Sequence, residues 1–345
     1  METEDDIEHW QKVLNQVLTT LAGSLSICGT IIIFVTFALW EDIRTTSRKI
    51  LVFISIGDLI TAMVSVSGIS IDWTGKNWEP FCKVQSFLNI TGILISFFWT
   101  VYLSIFLYLF IRGLPRETER KIMFVFHVTA WGIPLIVAIS AASVGNVFGH
   151  NVISNGWCWI SQKDLSSHGH LLLFWMFFAG KGWEILAYIA IPIFYIKAKI
   201  VLKRKMHANS STPILTTESL LAARKADRKF SMIPLIFIML RMWGTLRFFF
   251  YIACFPECQN SGPTNLDPKV DFWLKVFHGI GDSSQGFANF LIFCLFTDKI
   301  RCKIKLWCCR VCPWVTTRIA GNNYNSTNAT TLDDCRPFVN GTISQ

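Results

Sequence analysis

Charged residues are scarce in this chain. They make up 16% of its 345 residues, while apolar residues make up 52%. Soluble domains carry about a quarter charged residues, so the shortage argues against a water-soluble protein. Long polar connections are missing as well. The longest stretch outside the apolar runs, 298–345, has 48 residues and cannot bury a sizeable core of its own. No internal inverted repeat, His-rich metal cluster or nucleophile motif is present, which removes the usual signatures of metal or covalent catalysis. Neither a cofactor nor an enzymatic activity is therefore expected. The start is acidic where a signal peptide carries positive charge, so the first apolar run is expected to direct insertion itself.

What the chain does have is seven apolar runs, at 14–40, 50–71, 84–111, 122–144, 171–196, 230–255 and 271–297. Each reaches the roughly 20 residues that a helix needs to cross about 30 Å of hydrocarbon. The expected fold is an all-α membrane protein, a seven-transmembrane helix bundle at 14–297. A segment 1–13 precedes it, an amphipathic helix at 298–312 follows it, and 313–345 is expected to be disordered.

Lysine and arginine set the orientation. Segments 41–49, 112–121, 197–229 and 298–345 hold 23 of the 32 basic residues, and the alternate connections hold 5. Basic loops stay in the cytoplasm, which places the N-terminus outside and the tail inside. The net charge of +9 is then a topology signal, and no basic stretch reads as a nucleic-acid site. The sequons at Asn89, Asn209, Asn325, Asn328 and Asn340 fall in a span or on the inner side, so none is expected to carry sugar. Cys82, at the head of span three, and Cys158, within Gly156-Trp157-Cys158-Trp159, both face the oxidising side, where a disulfide persists. Their bridge would fix the roof of any pocket. Cys254 and Cys258 flank the third outer loop and form a second candidate pair.

Ionisable side chains inside spans are costly and mark functional candidates. Asp58, Glu184, Arg241 and Asp282 fall near mid-span. Arg241 is placed to pair with Asp58, Asp282 or Glu184, as a fixed ion pair or as a switch, with Gln285 nearby in the same polar core. Lys181, Arg247 and Lys275 lie towards the outer side and would favour an acidic ligand, unless Arg247 and Lys275 snorkel to the surface and Lys181 is neutralised by Glu184, three residues on. Aromatics at this level, including Trp99, Trp183 and Trp243, are pocket or packing candidates. Pro134, Pro192 and Pro234 interrupt spans four, five and six. Beyond span seven, Ile300, Ile304, Trp307, Cys308 and Val311 form an apolar stripe on a helix expected to lie on membrane lipid. Cys308, Cys309 and Cys312 suit palmitoylation; Cys309-x-x-Cys312 lacks a nearby His to support metal.

Local motifs narrow the class. Leu109-Phe110-Ile111-Arg112 stands where rhodopsin-like receptors carry an acidic-Arg-aromatic triplet, and span seven has no Asn-Pro-x-x-Tyr. Ser284-Gln285-Gly286-Phe287 followed by Leu291-Ile292-Phe293-Cys294 is similar to the seventh helix of secretin-like receptors. Phe97-Phe98-Trp99-Thr100-Val101, Gly180-Lys181-Gly182-Trp183-Glu184-Ile185-Leu186-Ala187-Tyr188, Pro234-Leu235-Ile236-Phe237-Ile238 with Arg241, and Phe277-His278-Gly279-Ile280-Gly281 resemble the cyclic-AMP-receptor-like group of G-protein-coupled receptors over about residues 15–310. That resemblance implies a plasma-membrane receptor that passes an extracellular signal to heterotrimeric G proteins, without naming the ligand. Outside the resemblance, Ser326, Thr327, Thr330 and Thr331 before Asp333 and Asp334 in the tail are candidates for phosphorylation and arrestin docking. Two other readings start from the same spans. A transporter or channel could use the midplane charges, but lacks repeats and paired broken helices. A photoreceptor would need Lys275 as its retinal lysine, and span three offers no acidic counter-ion.

Overall fold

The computed structural model describes residues 4–68, 78–151, 154–165, 169–211, 217–255, 257, 266–297 and 300–304. The expected amphipathic stripe is described only over 300–304, and Cys308, Cys309, Cys312 and the tail lie outside the described residues.

Among the described residues, six helices are long and apolar enough to cross a membrane. The first runs Glu4–Leu39, the second Thr46–Gly68, the third Glu79–Arg112 and the fourth Arg116–Ser143. The fifth spans Gly169–Lys205 within a helix that continues to Ser211, and the sixth spans Leu235–Cys254 within the helix Thr217–Cys254. The seventh is built of two pieces, Pro268–Ser283 and Gln285–Phe290, followed by a wide π turn at Leu291–Leu295.

Helix ends follow hydrogen-bond chemistry more than hydropathy. Asp267 caps the seventh helix by accepting from the Lys269 N–H at 2.8 Å, with Pro268 at the first helical position, an entry that satisfies one orphan donor and wastes none. Ser284 breaks the seventh helix without breaking its ladder, because its N–H reaches Ile280 and its carbonyl accepts from Ala288. The third helix stops at Gly113, whose φ of +93° closes the last turn onto Phe110, a conformation that costs glycine little.

The helices outrun the apolar runs, most of all at three boundaries. The first helix begins at Glu4 rather than 14, since nothing in the acidic start breaks a helix and its carboxylates favour a helix N-terminus. Helices five and six run to Ser211 and from Thr217, well past the point where charge begins, because Lys and Arg are good helix formers. Between helices four and five lies a hairpin that hydropathy does not reveal. Strand β1 (Phe148–His150) pairs antiparallel with β2 (Cys158–Ile160), placing Phe148 opposite Ile160 and His150 opposite Cys158.

Packing explains which residues face inward. The third helix is central: it contacts helices two, four and five and both strands. Helices two and three come together at Gly57, where a Cβ would stand 2.6 Å from the Gly92 carbonyl oxygen. Small residues line such close approaches because lipid provides no hydrophobic drive between helices. Helix four shows the sorting plainly. Ala130, Ala138 and Ala141 are buried, whereas Phe124, Val128, Ile136 and Ile139 face outward. Of residues 290–345, those described are 290–297, with the π turn Leu291–Leu295, and the short helical stretch at 300–304.

Candidate functional site

Polar groups in a bundle core must find partners among themselves, and here they do so in layers. Below, the hairpin end means the end of the bundle that carries β1 and β2. Along the seventh helix, Asp271, Lys275, His278 and Asp282 follow at steps of four, three and four, so they share one face and descend about 16 Å into the bundle.

Nearest the hairpin end, the Arg247 Nε donates to Asp271 Oδ1 at 3.0 Å, with Arg247 fully buried. One layer deeper, Glu184 gathers three donors. Lys181 Nζ reaches Oε2 at 2.7 Å, while the Tyr188 and Thr245 hydroxyls both reach Oε1 at 2.6 Å. Thr245 belongs to the sixth helix, so this carboxylate ties helix five to helix six. The approach to it is unusual: Phe177–Lys181 is a π turn, and the Trp183 indole N–H donates to the Phe178 carbonyl at 2.8 Å, occupying an acceptor next to the widened turn. Such turns concentrate at functional sites.

Arg241 lies deeper still and is 1% exposed. Its Nη1 stands 3.5 Å from Asp282 Oδ1, and its guanidinium lies 5.0 Å from the centroid of the Phe97 ring. Nε and Nη2 have no hydrogen-bond partner among the described residues. The other oxygen of Asp282 is 3.2 Å from His278 Nε2. Asp58 occupies a neighbouring site between helices two, three and seven. Ser96 Oγ donates to one of its oxygens at 2.6 Å and Asn289 Nδ2 to the other at 2.7 Å.

The hairpin closes its end of the bundle. A disulfide joins Cys82 to Cys158, with Cα atoms 5.4 Å apart. The Cys158 N–H donates to Gln85 Oε1 at 2.8 Å. Trp157, Cys158, Trp159 and Ile160 are all buried. Cys254 is disulfide-bonded too; its candidate partner Cys258 lies outside the described residues.

The structure sorts the sequence candidates. Lys181 and Glu184 come together, as do Arg241 and Asp282. Asp58 instead takes a hydroxyl from helix three and an amide from helix seven, and Glu184 takes hydroxyls from Tyr188 on its own helix and Thr245 on helix six. The outer cations do not form a free positive cluster, because Lys181 and Arg247 each hold a carboxylate; an unpaired cation at that depth would carry a large desolvation cost. Arg247 does not snorkel. Lys275 is half-buried on the polar face of helix seven. Trp99 stands apart from the other pocket candidates: its ring packs on Phe53, His127 and Trp131, between helices two and four. Gln285 is buried, with its Oε1 lacking a partner among the described residues. His278, Asp271 and Asn289 escaped the sequence reading, although the first two complete the four-three-four polar stripe and could have been found from it. Ser96 and Thr245 gave no signal beyond being polar. The described residues contain no cluster of three His, Cys, Asp or Glu able to hold a metal.

A bundle with paired charges at its midplane, six spanning helices, a two-piece seventh and a disulfide-tied hairpin over one end has the architecture of a seven-span receptor. Residues 5–218 match the family model described as slime mold cyclic AMP receptor. The human protein named G-protein coupled receptor 157 is 35% identical over 298 residues, covering 85% of this chain and 84% of its own. The mouse protein of that name is 34% identical, covering 88% of each chain. Cyclic AMP receptor-like protein A of Dictyostelium discoideum is 25% identical over 46% of this chain and 39% of its own. The chain belongs to the cyclic-AMP-receptor-like family of G-protein-coupled receptors. It is a multi-pass membrane receptor rather than an enzyme, and it signals through G proteins.

Proposed function

We propose that the receptor sits in the plasma membrane with its N-terminus and hairpin outside, and that it reads an extracellular ligand by repacking the layer around Arg241. The observation that carries this reading is the state of that guanidinium. It is buried, holds Asp282 at 3.5 Å, and leaves two nitrogens unpartnered, although buried charged donors left unmade are expensive. A second carboxylate feels the same cation: Asp58 interacts electrostatically with Arg241, while its hydrogen bonds come from the neutral donors Ser96 and Asn289. One buried cation, paired with one carboxylate and in the field of a second, is the kind of element that switches use. An outside signal shifts the balance between the two arrangements, and the inner ends of helices five and six move with it. There the exposed Lys203, Arg204 and Lys205 meet a heterotrimeric G protein and anionic lipid headgroups. Cys308, Cys309 and Cys312 anchor the segment after span seven by palmitoylation, and arrestin docks on the phosphorylated tail.

The test is guanine-nucleotide exchange on a panel of Gα subunits, in membranes with and without the receptor. Wild type raises exchange above empty membranes on at least one subunit. Arg241→Ala changes basal or evoked exchange by several-fold while changing surface expression much less. Equal loss of both would make Arg241 a structural residue only.

A further inference from the structure

The hairpin is more than a cover. Between its strands the chain turns into the bundle, and Asn151, Asn155 and Cys158 are each 0% exposed. Gly156, at φ +100°, permits the turn. Asn155 reaches furthest. It exchanges hydrogen bonds with Asn15 at 3.0 and 3.2 Å and donates to Thr19 Oγ1 at 3.3 Å. Its amide fills the space that a Cβ at Gly279 would occupy. One loop side chain thereby joins helix one to helix seven.

Trp157 goes to the charged layer. It packs over Gly68 at the end of helix two, and its ring meets His278 edge to face, with centroids 5.7 Å apart at 77°. His278 is a wedge between helices six and seven. It fits there because residue 244 is glycine: a Cβ at that position would stand 2.6 Å from His278 Nε2. Below, the same nitrogen holds Asp282, and Asp282 holds Arg241. The chain of contact is continuous from the loop through Trp157, His278 and Asp282 to Arg241.

We propose that the segment Ser154–Trp157 is a built-in occupant of the bundle mouth, which keeps His278 wedged at Gly244 and so holds the Arg241–Asp282 pair of the resting receptor. An activating ligand acts by unseating it. The direction follows from the contacts. Unseating strands the buried Asn15 amide on helix one and exposes an indole, so the seated arrangement is preferred until an outside partner supplies compensating interactions. Removing the seat's contacts lowers that preference and raises the population of the other state. This rests on the Arg241 reading above.

Two substitutions reach the same link from opposite sides. Trp157→Ala removes the pressure from above, whereas Gly244→Ala expels the imidazole from its slot without touching the loop. Each is expected to raise basal nucleotide exchange per surface receptor several-fold, with the double variant no higher than the greater single. Trp157→Phe, which keeps an aromatic edge on His278, stays near wild type. In the purified receptor, Trp157→Ala lowers the thermal midpoint less in the Gly244→Ala background than in wild type, a coupling that requires no G protein. Additive effects, or basal exchange that is unchanged or lower at matched surface levels, overturn the proposal. If Arg241→Ala alters exchange while these variants do not, the loop device fails and the Arg241 reading stands. If none of them alters exchange, both fail.

Discussion

A buried carboxylate is the hardest group for this bundle to hold, and Glu184 shows how it is held. Its charge is matched by Lys181 on one oxygen, and its other oxygen accepts from Tyr188 and Thr245. Breaking a buried pair from one side leaves an uncompensated charge, at a cost of about 3–5 kcal/mol, whereas replacing both partners with neutral groups of similar volume is near neutral. Glu184→Gln is therefore expected to lower the thermal midpoint strongly, because Lys181 stays buried without its counter-charge. Adding Lys181→Met restores most of the loss, since the glutamine oxygen still accepts from Tyr188 and Thr245. Thermal unfolding of the detergent-purified single and double variants checks this; a double variant as unstable as the sum of the singles would show that the pair does not govern the site. Charges such as Asp58, Arg241 and Asp282 were legible in the sequence, because an ionised residue inside an apolar run stands out. The choice of Asp282 over Asp58 or Glu184 for Arg241 was not, since pairing depends on the rotation of each helix about its axis, and the neutral donors Ser96 and Asn289 look like any other polar residue in a span.

At the level of elements, hydropathy located the spans but not their ends, their irregular turns or the hairpin. The π turn at Phe177–Lys181 changes which face Lys181 and Glu184 present, and no composition rule anticipates it. The hairpin strands are three residues each, too short for an alternation pattern to register. Glycines were legible only as a class, and their roles divide sharply. Gly281 lies against the backbone carbonyl of Leu240, so helices six and seven touch there through backbone, whereas Gly132 has nothing within 4 Å of a notional Cβ. Gly281→Ala must push two helices apart and is expected to reduce folded yield and thermal midpoint. Gly132→Ala meets open space and gains up to about 1 kcal/mol of helix propensity. Comparing the two by thermal unfolding separates packing from propensity. Equal behaviour would mean that the close approach at Gly281 does not matter to stability.

For the molecule as a whole, the proposed orientation rests on charge and on the chemistry of the hairpin's disulfide. The uneven distribution of Lys and Arg would place 41–49, 112–121, 197–229 and 298–345 in the cytoplasm. The Cys82–Cys158 bridge needs an oxidising compartment to persist, and it lies in the connections that are poor in cations. In the proposed orientation the hairpin bridge lies on the oxidising side, whereas Cys302, which is also disulfide-bonded, belongs to a cation-rich segment. The sequons turn the proposed orientation into a sharp expectation. Asn89 is buried in helix three, while Asn209, Asn325, Asn328 and Asn340 belong to segments assigned to the cytoplasm, out of reach of lumenal glycosylation. Receptor expressed in cells should therefore run at the same position on a denaturing gel before and after deglycosylation. An epitope at the N-terminus should bind antibody on intact cells, and one at Gln345 only after permeabilisation. A mobility shift abolished by replacing Asn325, Asn328 and Asn340 with Gln would place the tail in the lumen. That result would invert the topology, and the hairpin that holds the Arg241 layer would then face the cytoplasm, where no extracellular ligand could unseat it.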